Sequence, residues 1–274
     1  MRPGERPRGA AGGEDARPAA PQGLAETVAG RVGVVRRRVA AAAGRARRDP
    51  GDVTIVAVAK LQPPAAVRAA LAAGVRDIGE NYAQELAAKA AAAPGARWHM
   101  VGRLQRNKAA AVVAVGALVH SLDSLPLARA LGGRARRAGT VAEALVQVEV
   151  DGRPAAHGVP ACELDGFVRA CRGIEGLRLR GLMVMPAPAP DPEASRAAFA
   201  AVAQLARNLG REMQDLSMGM TADLEVAVEE GATLVRVGTA IFGPRPDAGA
   251  PVGGGASLAA RAGGEVGERR WPAG

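Results

Sequence analysis

The 274-residue chain predicts a single-domain α/β protein, a (β/α)8 TIM-type barrel with an extra N-terminal helix, and three observations carry that prediction. Short apolar runs alternate with Ala-rich stretches, so that one strand, loop and helix unit repeats eight times over roughly 200 residues. The runs lack the period-two alternation of a half-exposed sheet, which points to parallel strands covered on their outer face. Polar and glycine-rich groups recur where the runs end, the face on which barrels gather their chemistry. A doubly wound open sheet is the alternative for the same pattern.

Residues 1–23 form a Pro/Gly/Arg-rich leader, too poor in apolar residues to support a core and expected to be disordered. The stretch "LAETVAGRVGVVRRRVAAAAGRARR" then sets Leu24, Val28, Val32, Val35 and Val39 on one side of a helix that Asp49-Pro50-Gly51 ends. Strands are predicted at 53–59, 76–79, 98–101, 117–121, 143–150, 178–184, 215–218 and 233–237. After "IFGPRP" the composition turns to Gly, Ala and Pro. The barrel is therefore expected to span 24–246, with a flexible tail over 247–274 and no second domain.

Composition narrows the function classes. Of the net charge of +9, most lies in the first fifty residues, where eleven arginines face five acids. No aromatics are interleaved there, so the segment reads as a solvated tail and helix face and not as a nucleic-acid surface. No apolar run approaches the roughly 18 residues of a membrane helix, and the leader lacks the apolar stretch of a secretory signal. A cytoplasmic monomer with neither nucleic acid nor membrane as partner is predicted. Cys162 and Cys171, nine residues apart on one predicted helix, stand about 13 Å apart along its axis, too far for a disulfide. His99, His120 and His157 have no cysteine or carboxylate at ligand spacing, so no metal site is predicted. His99 suits a bond to backbone inside the barrel and a cofactor contact equally. Met183, Met185, Met218 and Met220 flank the predicted pocket and read as core filler.

One strand end stands apart. "VTIVAVAK" runs apolar from Val53 and stops at Lys60, in a chain whose only other lysines are Lys89 and Lys108. An amine in an apolar setting can lose its proton and become a nucleophile, whereas a guanidinium stays charged. Near the last two strand ends, "SMGMT" offers Ser217, Gly219 and Thr221, and "RVGT" offers Gly238 and Thr239. Glycine amides, hydroxyls and a helix start make an anion cradle, which barrels commonly place after strands seven and eight. An amine and a phosphate cradle on one face describe a pyridoxal 5'-phosphate site, with the phosphate across the barrel mouth from an imine on Lys60. Arg236 falls beside the cradle, where it faces either the pyridine nitrogen or a carboxylate such as Glu80 or Glu225.

"AVAK", "GENYAQE", "WHMVGRLQRNK", "GLMVMPAP", "SMGMTAD" and "RVGTAIFG" together resemble the pyridoxal phosphate homeostasis protein family, single-domain barrels related to the N-terminal domain of alanine racemase. The resemblance runs from about residue 24 to 246. It implies that Lys60 is the cofactor lysine, that Ser217, Gly238 and Thr239 lie near the phosphate, and that Asn81 and Arg236 lie near the ring. It implies a carrier or buffer of the cofactor, serving pyridoxal-phosphate-dependent apoenzymes, without a catalytic reaction of its own. Three positions depart from the pattern: Ala156 stands where a lysine is frequent, Thr221 for serine, and Ala59 for serine. Tyr82, the only tyrosine, is expected to pack at the start of a helix and not to act as a second base. A low-activity amino-acid racemase and a Schiff-base aldolase on a sugar phosphate are the alternative readings.

Overall fold

The computed structural model describes residues 20–152 and 157–244. After α1 (Gln22–Arg45), strands and helices alternate as β1 (Thr54–Val58), α2 (Pro64–Ala72), β2 (Asp77–Glu80), α3 (Ala83–Ala92), β3 (Arg97–Met100), α4 (Ala109–Val115), β4 (Leu118–Leu122) and α5 (Leu125–Arg137). The second half runs β5 (Ala142–Glu149), β6 (Val159–Pro160), α6 (Leu164–Arg172), β7 (Leu177–Met183), α7 (Arg196–Leu209), β8 (Asp215–Ser217), α8 (Leu224–Glu229), β9 (Leu234–Val237) and the single turn α9 (Thr239–Phe242). All eight predicted strands are present. The two-residue β6 was not foreseen, and it pairs only with the end of β5.

The order β4-β3-β2-β1-β9-β8-β7-β5, with β5 pairing back onto β4, closes the sheet into a parallel barrel and disposes of the open doubly wound alternative. Strand parity divides the core. Val56, Leu118, Leu145, Met183 and Leu234 form a small interior cluster. Residues of the opposite parity, among them Ala57, Ile78, Met100, Val119, Val146, Leu182 and Val235, join the large cluster under the helices. Both strand faces are thus buried, which is why the runs show no polar alternation.

The stripe Val28, Val32, Val35 and Val39 is buried as expected, and α1 packs against α2, α8 and α9. Since α9 is only four residues long, α1 fills the place in the outer helix ring between α2 and α8. The arginine face of α1 departs from the expectation of a solvated surface. Arg36 and Arg37 are exposed, but Arg38 makes a bidentate pair with Glu225 at 2.6 and 2.8 Å, Arg45 pairs with Glu229, and Arg48 donates to the Val228 and Ala232 carbonyls.

Cys171 is buried on α6, whereas the exposed Cys162 sits on the 3-10 turn before it, and neither forms a disulfide. Among the described residues no helix is long and apolar enough to cross a membrane. Residues 1–19 of the leader, the tail and Ala156 lie outside the described residues.

Candidate functional site

The three lysines have separate surroundings. Lys89 is buried at the foot of the loop after β1, where its Nζ donates to Glu80 Oε1 at 2.7 Å, Glu85 Oε2 at 2.8 Å and the Ala59 carbonyl at 2.7 Å. Burial raises the Glu80 carboxyl above its usual range, and Lys89 acts against that shift. Glu85 Oε2 also accepts the Leu61 amide at 3.0 Å. Leu61 is left-handed with φ of 61°, a conformation that costs a non-glycine residue about 1–2 kcal/mol. The Lys89 cluster thus holds the backbone on both sides of Lys60. Lys108 lies on a different cavity, beside Arg103 and Arg106.

Lys60 itself lines a cavity of about 330 Å³ on the C-terminal face, together with Asn81, Arg236, Gly238, Thr239 and Thr221. Each is placed by a local cause. Asn81 follows β2, and the chain after β3 passes so close to it that a Cβ at Gly102 would stand 2.4 Å from the Asn81 carbonyl oxygen. Asp223 folds the loop after β8 by accepting the Met220 amide at 2.6 Å, and Arg38 of α1 holds the Thr221 carbonyl at 2.9 Å. Gly238 caps α9, whose leading amides have no intrahelical partners. Because β9 pairs directly with β1, the candidate cradle stands on the strand next to Lys60 and not across the barrel mouth.

Five of the six expected site residues therefore share one cavity, and Ser217 does not. Its side chain is fully buried in the barrel interior, accepting from Arg236 Nη1 at 2.7 Å and bonding His120 Nδ1 at 2.8 Å. It belongs to β8 itself, whereas the loop residues of the cradle begin after the strand ends. Arg236 pairs with neither Glu80 nor Glu225; its second bond runs from Nη2 to the Val184 carbonyl at 3.0 Å. Burial pushes its guanidinium down to about 10, which leaves it charged at neutral pH.

The other candidates divide. His99 and His120 are both buried in the barrel, bonded to each other and not to backbone. His157 is exposed, and no metal cluster is present among the described residues. Met183 and Met218 fill the core, but Met185 and Met220 line the cavity. Tyr82 does not pack: it is 53% exposed, on the wall of a neighbouring cavity of about 900 Å³ that shares Asn81. Sequence reasoning missed the Lys89 cluster, although Glu85 and Lys89 stand at the i,i+4 spacing of a helical ion pair.

A closed parallel barrel with an amine, a buried arginine, hydroxyls and a glycine around one cavity on its C-terminal face defines the class: a (β/α)8 barrel with a polar, cation-bearing pocket at its strand ends. A profile of the alanine racemase N-terminal domain matches residues 33–246. A pyridoxal phosphate homeostasis protein of Pseudomonas aeruginosa is 42% identical over 82% of this chain and 98% of its own, and one of Escherichia coli is 36% identical over 77% and 94%. The chain belongs to the pyridoxal phosphate homeostasis protein family, within the alanine racemase N-terminal domain group. The solved structure of PipY from Synechococcus elongatus with pyridoxal phosphate bound is 34% identical, with a TM-score of 0.69 over 78% of this chain and 99% of that one. Alanine racemase from Corynebacterium glutamicum, 18% identical with a TM-score of 0.62 over 83% of this chain and 64% of that one, shares the fold.

Proposed function

We propose that the protein binds pyridoxal 5'-phosphate on the C-terminal face of its barrel through Lys60, and serves as a carrier that keeps the cofactor available to apoenzymes. The observation that carries this reading is the cavity joining Lys60 to Asn81, Arg236, Gly238 and Thr239. The residues fit the group. The cavity is at the small end of ligand sites, and its walls offer an amine for an aldehyde, a cation for a ring nitrogen and hydroxyls with amides for a phosphate.

When bound, the cofactor supplies an aldehyde that amines trap reversibly and a ring that draws electrons from an attached carbon. Lys60 provides the amine, and the Lys89 cluster fixes the backbone that presents it. Thr221, Gly238 and Thr239 would hold the phosphate. Arg236 would donate toward the ring nitrogen, and a guanidinium is too weak an acid to give that nitrogen its proton. Apart from Lys60, no wall residue among those described is a carboxylate, histidine, cysteine or tyrosine. A racemase needs a base on each face of its substrate; this cavity offers one amine.

Borohydride reduction of the protein with pyridoxal phosphate should fix the cofactor on Lys60, with visible absorbance lost in Lys60→Ala. Attachment at Lys89 or Lys108 alone would refute the assignment. A chiral assay of alanine and serine at saturating cofactor should give racemisation near background, and sustained Lys60-dependent turnover would make the protein an enzyme.

A further inference from the structure

The barrel interior contains a line of polar side chains that the cofactor cavity does not use directly. Arg236 Nη1 donates to Ser217 Oγ at 2.7 Å, Ser217 Oγ lies 2.8 Å from His120 Nδ1, His120 Nε2 lies 2.9 Å from His99 Nδ1, and His99 Nε2 lies 3.0 Å from Asp77 Oδ1. Asp77 also receives Arg97 at 2.9 and 2.5 Å. The line begins on the wall of the cofactor cavity and ends at the first residue of β2, on the opposite face of the barrel.

The chemistry of its two ends fixes its direction. A guanidinium can only donate, and a carboxylate can only accept. Ser217 is fully buried, and its hydroxyl proton has one acceptor within reach among the described residues, His120 Nδ1. His120 must then carry its proton on Nε2 and donate it to His99 Nδ1, and His99 must carry its own on Nε2 and donate to Asp77. The other arrangement, with His99 as an imidazolium and His120 protonated on Nδ1, sends two donors into Ser217 and leaves the hydroxyl proton unpaired in a dry interior.

We propose that Asp77, His99, His120 and Ser217 are positioning residues that form one uniformly directed hydrogen-bond chain, and that this chain holds Arg236 in the pose in which it meets the cofactor ring. The chain anchors Nη1 at 2.7 Å while the Val184 carbonyl holds Nη2 at 3.0 Å, so two bonds fix the guanidinium on the wall of the cavity. The cofactor part of the inference rests on the function proposed above; the direction of the chain does not.

Two measurements test it. In the cofactor-free protein, long-range proton–nitrogen NMR should show His99 and His120 each with one proton, on Nε2, and each unprotonated at Nδ1. An imidazolium, or a proton on Nδ1 of His120, overturns the direction whatever the protein binds. His120→Gln keeps an acceptor toward Ser217 and a donor toward His99, whereas His120→Leu fills the space with neither. Gln should keep pyridoxal phosphate affinity within about threefold of the parent. Leu should lose about tenfold or more and shift the absorbance maximum of the bound cofactor, because the Ser217 hydroxyl that holds Arg236 would be left without an acceptor in a dry interior. Equal behaviour of the two variants, with both folded by circular dichroism, overturns the positioning role. If the parent protein takes up no cofactor at all, the proposed function fails while the NMR result still decides the chain.

Discussion

His120 sits where no water reaches it, and that gives the protein an acid sensitivity above the carboxylate range. Burial, with His99 and Arg236 close by, holds its imidazole well below the usual histidine value. In the unfolded chain the ring titrates near 6.5, so between the two values the unfolded state binds a proton that the native state refuses. Stability therefore falls as pH drops below about 6.5, by up to about 1.4 kcal/mol per pH unit. Asp77 adds its loss only lower: burial would raise its carboxyl, but the bonds from His99 and Arg97 hold it down. Urea midpoints measured from pH 7.5 to 5.5 should decline in the parent and stay flatter in His120→Gln, and a flat parent profile would mean that the native and unfolded states take up the same protons over that range. At this scale the sequence was legible in part. Lys60 stood out because lysine is rare and because it ends an apolar run. Ser217 read as part of the cradle because the motif hides where β8 ends. The pairing of His99 with His120 depends on the register of β3 against β4, which no local pattern contains.

Among the elements, α1 shows how a readable feature can conceal an unreadable one. Its valine stripe identified the buried face directly. Its arginines looked interchangeable, yet Arg38 alone reaches both Glu225 and the carbonyl of Thr221, on the candidate phosphate loop. That distinction rests on the angle at which α1 lies against α8. Arg38→Met keeps most of the aliphatic stem and removes both bonds. Since this pair is about a third exposed, its loss should be modest, about fivefold in affinity for pyridoxal phosphate. Unphosphorylated pyridoxal should be unaffected. Equal losses for the two ligands, measured by absorbance titration, would place the phosphate away from Thr221. A strand such as β1 was legible for a simpler reason: packed on both faces, it appears as a short, mostly apolar run between turn residues. The pair Val159–Pro160 was invisible because two residues carry no pattern.

For the whole molecule, eight repeats predicted the barrel, but its closure was a matter of the last strand, β9, pairing with the first, β1, from the far end of the chain. The helix ring is completed in an order that the strands do not share. The last strand is followed by a single turn, and the helix that occupies the next place comes from the front of the chain. Near its start α1 meets that turn, where a Cβ at Gly243 would stand 2.7 Å from Arg31 Nη1; just beyond its end, Arg48 binds the far end of α8. The end of the described barrel thus meets the first half of α1. The covalent join between α1 and β1 is therefore one of two possible cuts in the same ring. A chain that starts at Val53 and carries residues 22–52 after Pro244, joined by a short glycine-serine linker, should fold to the same barrel. It should also recover the visible absorbance of bound pyridoxal phosphate, because Arg38 would return to its seat on the Thr221 loop by packing alone. A permuted chain that folds without recovering the absorbance would show that the order of connection, and not only the ring's geometry, shapes the cofactor cavity.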